Sequence, residues 1–178
     1  VSILKKEDLL SIVILPYTDK KKLNLLLLWL FAWTTCGVIV MANYFRLTDH
    51  NTKLFVIIYL SFWAYYEYIV VKAFMWRKSG KEKIWIKGGV FFYQKEVNGR
   101  GKIKEYDISL INDLKVIEVK DGNFSDYLNK SFWITGGERL EMACQSKLVR
   151  FGMQLSDKEA GLVLKDLSQQ ILSVLDKR

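Results

Sequence analysis

Two long apolar segments constrain the fold of this chain more than any other feature of its sequence. They occupy residues 23–45 and 54–76 and are 23 residues long each. At a rise of about 1.5 Å per residue, each would form a helix of roughly 34 Å, which is enough to cross a hydrocarbon core of about 30 Å. The link between them, residues 46–53, is so short that the two helices must be antiparallel neighbours. The sequence therefore predicts a transmembrane helical hairpin over residues 23–78.

Lysine and arginine are distributed unequally around these segments. The formal net charge is +8, and because much of the excess lies beside the apolar segments, we expect a membrane partner and no nucleic acid. The link carries only Arg46 and Lys53. The opposite side carries Lys20, Lys21, Lys22, Arg77, Lys78, Lys81 and Lys83. The positive-inside rule therefore predicts that both termini are cytoplasmic.

The same seven basic residues are candidate contacts for phospholipid headgroups, although anchoring of the topology alone would explain them. The Lys-rich composition of the chain suggests a bacterial source. The expected location is therefore the bacterial inner membrane, with the chain crossing it more than once.

Glu67 is the most informative residue of the second segment. It falls just cytoplasmic of the bilayer centre, where an ionised carboxylate is costly unless it is protonated, paired or turned towards a partner. Thr34 and Thr35 of the first segment lie at the same depth, so a hydrogen bond from either of them to Glu67 is predicted. Pairing with another chain and a role in carrying a proton or ion remain open alternatives.

Large side chains recur at helical spacing along the second segment. This aromatic face consists of Tyr59, Phe62, Trp63, Tyr66, Val70 and Phe74. It is expected to pack against the first helix or lipid, or to form a surface for partner transmembrane helices or the ring of a pigment or quinone.

The remaining chain divides into residues 1–22 and residues 79–178. The first stretch contains a β-branched apolar run, Ile12 to Leu15, which either lies in the membrane interface or adds a strand to the other domain. The second stretch predicts six or seven antiparallel strands, with turns at Gly88-Gly89, residues 98–101 and Gly136-Gly137 and a loop at residues 121–130.

A closing helix is predicted after these strands. Ser156 and Glu159 have the spacing of a capping box. Apolar residues then recur with helical periodicity at Ala160, Val163, Leu164, Leu167, Ile171, Val174 and Leu175. Strands followed by one such helix indicate an α+β domain.

The sequence offers few residues for catalysis or metal binding. It contains one histidine, His50, and two cysteines, Cys36 and Cys144, which lie in different parts of the chain. A zinc site, a haem with two histidine ligands and a nucleophile–histidine pair all lack the required side chains. We therefore expect no enzyme activity, no metal and no cofactor, with a metal held only by carboxylates or by partner chains as the alternative left open.

Residues 79–175 resemble the bacterial PH-like domains that are often attached to two transmembrane helices. The resemblance is carried by IWIKGGVFFYQKE, EYDISLINDLKVIEV and LVRFGMQLSDKEAGLVLKDLSQQI. It implies an antiparallel β-barrel or sandwich capped by one C-terminal helix, in a cytoplasmic domain, and it names no ligand. The layout is also similar to that of the photosystem I assembly factor of chloroplasts and cyanobacteria, whose sequence motifs are absent here.

The expected function is that of a non-enzymatic accessory, scaffold or assembly subunit that docks on other integral membrane proteins. A sensor of anionic lipid, an ion-coupled element that uses Glu67, and a homo-oligomer are alternatives that the sequence leaves open.

Overall fold

A computed structural model describes residues 1–6, 9–16, 19–117, 135–145 and 147–176. The chain forms two compact units, a helical unit and a sheet unit. In chain order the strands and helices are β1 (Ser2–Lys6), β2 (Leu9–Ile14), α1 (Lys20–Tyr44), α2 (His50–Ser79), β3 (Gly80–Lys87), β4 (Val90–Val97), β5 (Ile103–Asp107), a short 3-10 helix (Ile108–Leu110), β6 (Ile111–Val116), β7 (Glu138–Cys144), β8 (Lys147–Met153) and α3 (Asp157–Leu175).

The helical unit consists of α1 and α2, and both helices are long and apolar enough to cross a membrane. Each is directly preceded by an aspartate. The Asp19 side chain accepts a hydrogen bond from the N–H of Lys21, and the Asp49 side chain accepts one from the N–H of Thr52. These carboxylates satisfy N–H groups that have no partner inside the helix. The two long apolar helices predicted from the sequence are confirmed.

Contacts along the pair show that α1 and α2 run in opposite directions. Leu26 and Leu30 of α1 pack with Val70 of α2 in a small buried cluster. Thr34, one turn further along α1, contacts Glu67, which lies one turn earlier in α2. Contacting residue numbers therefore rise in one helix as they fall in the other, as the short link requires.

The sheet unit contains two antiparallel sheets, one with the order β1-β2-β3-β4-β5 and one with the order β6-β7-β8. The first sheet includes two strands from the start of the sequence. In β2 the side chains of Leu10, Ile12 and Ile14 are buried, and Ile12 lies opposite Ile84 of β3. Alternate residues of a strand point to the same face, so β2 contributes three side chains to the core.

This placement decides between the two alternatives for residues 1–22. They do not form a separate segment, because residues 2–14 complete the sheet that continues at Gly80. The folded domain is therefore assembled from both sides of the helical hairpin, and a fragment that starts at residue 79 would lack two of its strands.

Two tight turns connect neighbouring strands as predicted. Gly88 and Gly89 join β3 to β4 with φ angles of 57° and 80°. Asn98 and Gly99, with φ angles of 51° and 77°, form the next turn after β4. Positive φ at both central residues defines a type I′ turn, which glycine and asparagine tolerate.

Helix α3 closes the core of the sheet unit. Ser156 and Glu159 form the predicted capping box. The helix buries one stripe, made of Ala160, Val163, Leu167 and Ile171, together with residues of both sheets. Leu164 and Val174 are partly buried, whereas Leu175 is exposed.

The described part of the sheet unit has eight strands, against the six or seven predicted, because β1 and β2 come from outside the stretch used for that prediction. The predicted loop at residues 121–130 lies outside the described residues. The sequence also predicts a strand over residues 132–135, before the Gly136-Gly137 turn, and residues 132–134 of it lie outside them too.

Candidate functional site

The centre of the helical hairpin holds a polar contact between its two helices. The Thr34 hydroxyl oxygen lies 2.6 Å from Oε1 of Glu67 and 2.8 Å from the carbonyl oxygen of Leu30. The predicted partnership of Thr34 and Glu67 is thus present. Thr35 does not join it, because its hydroxyl donates to the carbonyl oxygen of Phe31 within α1.

The two contacts of Thr34 are made by one hydroxyl group. A threonine hydroxyl has a single hydrogen to donate, and both the Leu30 carbonyl and an ionised carboxylate are only acceptors. Both distances are in the range of hydrogen bonds, so the hydroxyl hydrogen is shared between the two acceptors. Thr34 thus links Oε1 of Glu67 to its own helix.

The second oxygen of Glu67 does not share this contact. Oε2 is buried and has no hydrogen-bond partner among the described residues. The carboxyl group therefore bonds to α1 through Oε1 alone. Glu67 therefore acts as an internal link between α1 and α2.

Replacing Thr34 by Val should weaken the hairpin by about 1 kcal/mol, the usual size of a hydrogen bond between membrane helices. Valine keeps the shape of threonine but cannot bond Glu67. Thr35→Val is the matched control, because the Thr35 hydroxyl bonds only within its own helix. The free energy of unfolding in mixed detergent micelles measures both variants, and an equal loss from both would contradict the link.

A second contact brings the helices together one turn away. The indole N–H of Trp63 donates to the carbonyl oxygen of Trp33 at 3.2 Å. This requires the indole ring to lie against the backbone of α1 at Gly37, where any Cβ atom would overlap with the ring. Gly37 is buried and was not predicted as a site residue.

The predicted aromatic face divides into two parts. Trp63, Val70 and Phe74 are turned towards α1, where Trp63 meets Gly37 and the other two belong to the cluster around Leu26 and Leu30. Tyr59, Phe62 and Tyr66 are exposed. Three of the six residues of this face therefore pack against the first helix, and the other three are exposed.

The seven predicted headgroup contacts also differ in their surroundings. Lys20, Lys21, Lys22 and Lys78 are exposed, whereas Arg77 is buried. Lys81 and Lys83 pair with the buried Glu96, with Nζ–Oε distances of 2.9 and 2.5 Å. Hydrogen bonds from these lysines, Lys83 first, lower the pKa of the Glu96 carboxyl. The single negative charge of Glu96 therefore offsets one of the two positive charges of Lys81 and Lys83.

The sheet unit contains a buried carboxylate that the sequence did not single out. Glu82 is fully buried, and its Oε2 accepts hydrogen bonds from the N–H groups of Gly152 and Met153 at 3.0 and 2.8 Å. Its Oε1 accepts one from the Tyr93 hydroxyl at 2.8 Å. Gly152 has a φ of 77°, and this conformation directs two successive N–H groups to one oxygen.

This arrangement ties β3 of the first sheet to β8 of the second. Burial raises the pKa of the Glu82 carboxyl, opposed by the hydrogen bonds from Met153 and Tyr93. Burial also raises the pKa of Tyr93, so its hydroxyl stays protonated and donates. The sequence did contain a signal for the burial of Glu82. Alternate residues of a strand share a face, so Glu82 lies on the same core side of β3 as Ile84 and Ile86.

Within the described ranges, no three residues among His, Cys, Asp and Glu lie together as a metal site would require. Glu67 is also the only carboxylate in the two apolar segments. What the described groups can do is hold two helices together and join two sheets.

No protein-family model, no curated protein and no solved structure matches this chain. Inferences about function therefore depend on the chain's own residues.

Proposed function

We propose that this protein is a non-enzymatic accessory or assembly subunit of a bacterial inner-membrane complex. The hairpin spans the membrane and docks on other transmembrane helices, and the sheet unit is a PH-like module on the cytoplasmic side. The observation that carries this proposal is the exposed apolar surface of the hairpin, where Phe31, Phe55 and Phe62 are 71%, 70% and 63% exposed. Side chains of this kind require lipid or another protein around them.

The two polar links within the hairpin support a role in docking. Thr34 with Glu67 and Trp33 with Trp63 hold α1 and α2 as one body. A preformed pair of helices presents a fixed surface to a partner and loses little conformational freedom on binding. The exposed aromatic side chains of α2 are large and rigid, as is typical of binding surfaces.

The proposed PH-like module is supported by the element order, in which two antiparallel sheets are followed by one capping helix. The cytoplasmic position is supported by Lys20, Lys21, Lys22 and Lys78, which are exposed at one end of the two helices.

The intact chain should stay in washed membranes after treatment with alkaline carbonate. After gentle solubilisation it should elute in a complex larger than one chain. Replacing Tyr59, Phe62 and Tyr66 together by Leu should release it from that complex, because leucine keeps the apolar character but removes the rigid rings. Native gel electrophoresis and mass spectrometry measure the result.

Tyr68→Leu provides the control, since Tyr68 is also exposed on α2 but lies about 120° around the helix from Phe62. This variant should remain in the complex. Extraction by carbonate would refute the membrane anchor, and elution of the wild type as a lone monomer would refute the docking role.

Sensing of anionic lipid is a weaker candidate. Lys81 and Lys83 both pair with Glu96, and Arg77 is buried, so fewer basic side chains are available for headgroups than the sequence indicated. Binding to vesicles must be measured with a chain that contains residues 2–14, since these belong to the sheet.

Ion coupling through Glu67 also has little support. The carboxyl is engaged with Thr34, and the apolar segments contain no second carboxylate to receive a proton.

A further inference from the structure

Four exposed aromatic side chains of α2 form a continuous surface, which we call the tyrosine face. Its members are Tyr59, Phe62, Tyr65 and Tyr66, with exposed fractions of 38%, 63%, 60% and 54%. At about 100° per residue, all of them lie within about 60° of Phe62 around the helix. The face adjoins the side of α2 that meets α1, since Trp63 and Glu67 lie about 100° and 140° around the helix from Phe62.

Two hydroxyl groups on this face lie at an unfavourable depth. Tyr65 and Tyr66 are at the middle of the apolar segment 54–76. Neither hydroxyl takes part in a hydrogen bond with any described residue. If the hairpin spans the membrane as proposed above, on which this inference depends, both hydroxyls face the bilayer centre, where water cannot satisfy them.

We infer that a second copy of this chain covers the tyrosine face, with the two copies related by a twofold axis along the membrane normal. A phenol hydroxyl both donates and accepts hydrogen bonds. Copies of one chain insert with the same topology, so Tyr65 and Tyr66 of one copy meet the same residues of the other at the same depth. The face is thus complementary to itself, as a twofold interface requires.

The charges of the hairpin are compatible with this pairing. The tyrosine face has no charged residue, and Glu67 is engaged with Thr34 of its own chain. Two copies therefore meet without repulsion between like charges. An unrelated membrane helix would serve only if it carried a polar group at this same depth, whereas a second copy always does.

The test uses the full chain, reconstituted in vesicles with donor and acceptor fluorophores on separate copies. Energy transfer measured while lipid is added gives the dissociation constant of the pair. The double variant Tyr65→Phe/Tyr66→Phe should raise this constant about tenfold, because it removes only the two hydroxyls. Tyr68→Phe removes the same group about 120° around the helix from Phe62 and should leave the constant unchanged.

A cross-linking experiment tests the geometry independently of the hydroxyls. In a Cys36→Ser background, Phe62→Cys should form a disulfide between copies, whereas Val38→Cys on the exposed side of α1 should not. Val38 serves as the control because it is equally apolar and exposed.

The inference would be overturned if added lipid reduced energy transfer equally for the wild type and for Tyr65→Phe/Tyr66→Phe. It would also be overturned by a Phe62→Cys variant that becomes cross-linked to a different protein and never to a second copy, a result that would leave the proposed docking role intact. Flotation of the vesicles reports membrane insertion separately: a chain that fails to float refutes the proposed anchor, whereas a chain that floats as a monomer refutes only the pairing.

Discussion

Replacing Glu82 by Ala should lower the free energy of unfolding of the sheet unit by about 3 kcal/mol. The substitution leaves the N–H groups of Gly152 and Met153 and the hydroxyl of Tyr93 buried without their acceptor. Each unsatisfied buried group costs about 1–3 kcal/mol, with partial relief if water enters the cavity. Thermal or denaturant unfolding of the intact chain in mild detergent measures the loss.

Glu105→Ala is the matched control for this variant. Glu105 is a glutamate in a strand of the same sheet, but its side chain is exposed. Its replacement should change the free energy of unfolding by less than about 0.5 kcal/mol. Faster hydrogen exchange of the amides of Gly152 and Met153 should accompany the Glu82 variant alone. Unchanged exchange at these two amides would show that Glu82 does not join the sheets.

The raised pKa of Glu82 leads us to expect that the stability of the sheet unit depends on pH. Its pKa in the folded state is raised above the ordinary value of 4.5, mainly by burial. The stability that this group contributes is therefore fully present below its unfolded pKa and is lost as the pH rises through the folded pKa. Glu82→Gln cannot ionise, so its stability relative to wild type should increase across this range of pH.

Glu96 has the opposite effect, in a different range of pH. Its pKa is lowered by Lys83 and Lys81, so its contribution is present above 4.5 and is lost as the pH falls through the lowered value. The two carboxylates thus act on opposite sides of 4.5. The effect of Glu82→Gln on the free energy of unfolding is therefore measured above pH 4.5.

Features that depend on neighbouring residues could be predicted from the sequence. The Gly88-Gly89 turn and the Ser156–Glu159 capping box depend on a few consecutive residues, and both are present. The two long helices could also be predicted, because each depends on one continuous run of apolar residues. The contact between Thr34 and Glu67 also followed, since their depths could be counted from the ends of the segments.

Features that join distant parts of the chain could not be predicted in this way. The pairing of β2 with β3 brings together residues on either side of a hairpin of two helices. The alternating pattern of Leu10, Ile12 and Ile14 favours a strand but does not identify the neighbouring strand. Similarly, depth alone does not give the rotation of each helix, which is what brings Trp63 against Gly37.

The rotation of the helices leads to the second large expected effect. Replacing Gly37 by Val should destabilise the hairpin by about 3 kcal/mol. The new Cβ would overlap with the Trp63 ring, so the helices must separate or the indole must leave its site. Overpacking of this kind costs about 1–3 kcal/mol, and the hydrogen bond from Trp63 to the Trp33 carbonyl is lost as well.

A control and a second-site variant make this prediction specific. Ala32→Val introduces a β-branched residue at an exposed position of α1 and should have little effect. In a Trp63→Ala background the cost of Gly37→Val should largely disappear, because the ring that it displaces is absent. Unfolding in mixed detergent micelles gives all four free energies of the double-mutant cycle. Additive losses from the two substitutions would mean that Gly37 and Trp63 are not in contact, and the rotation of α1 against α2 on which the exposure of the tyrosine face depends would then be wrong.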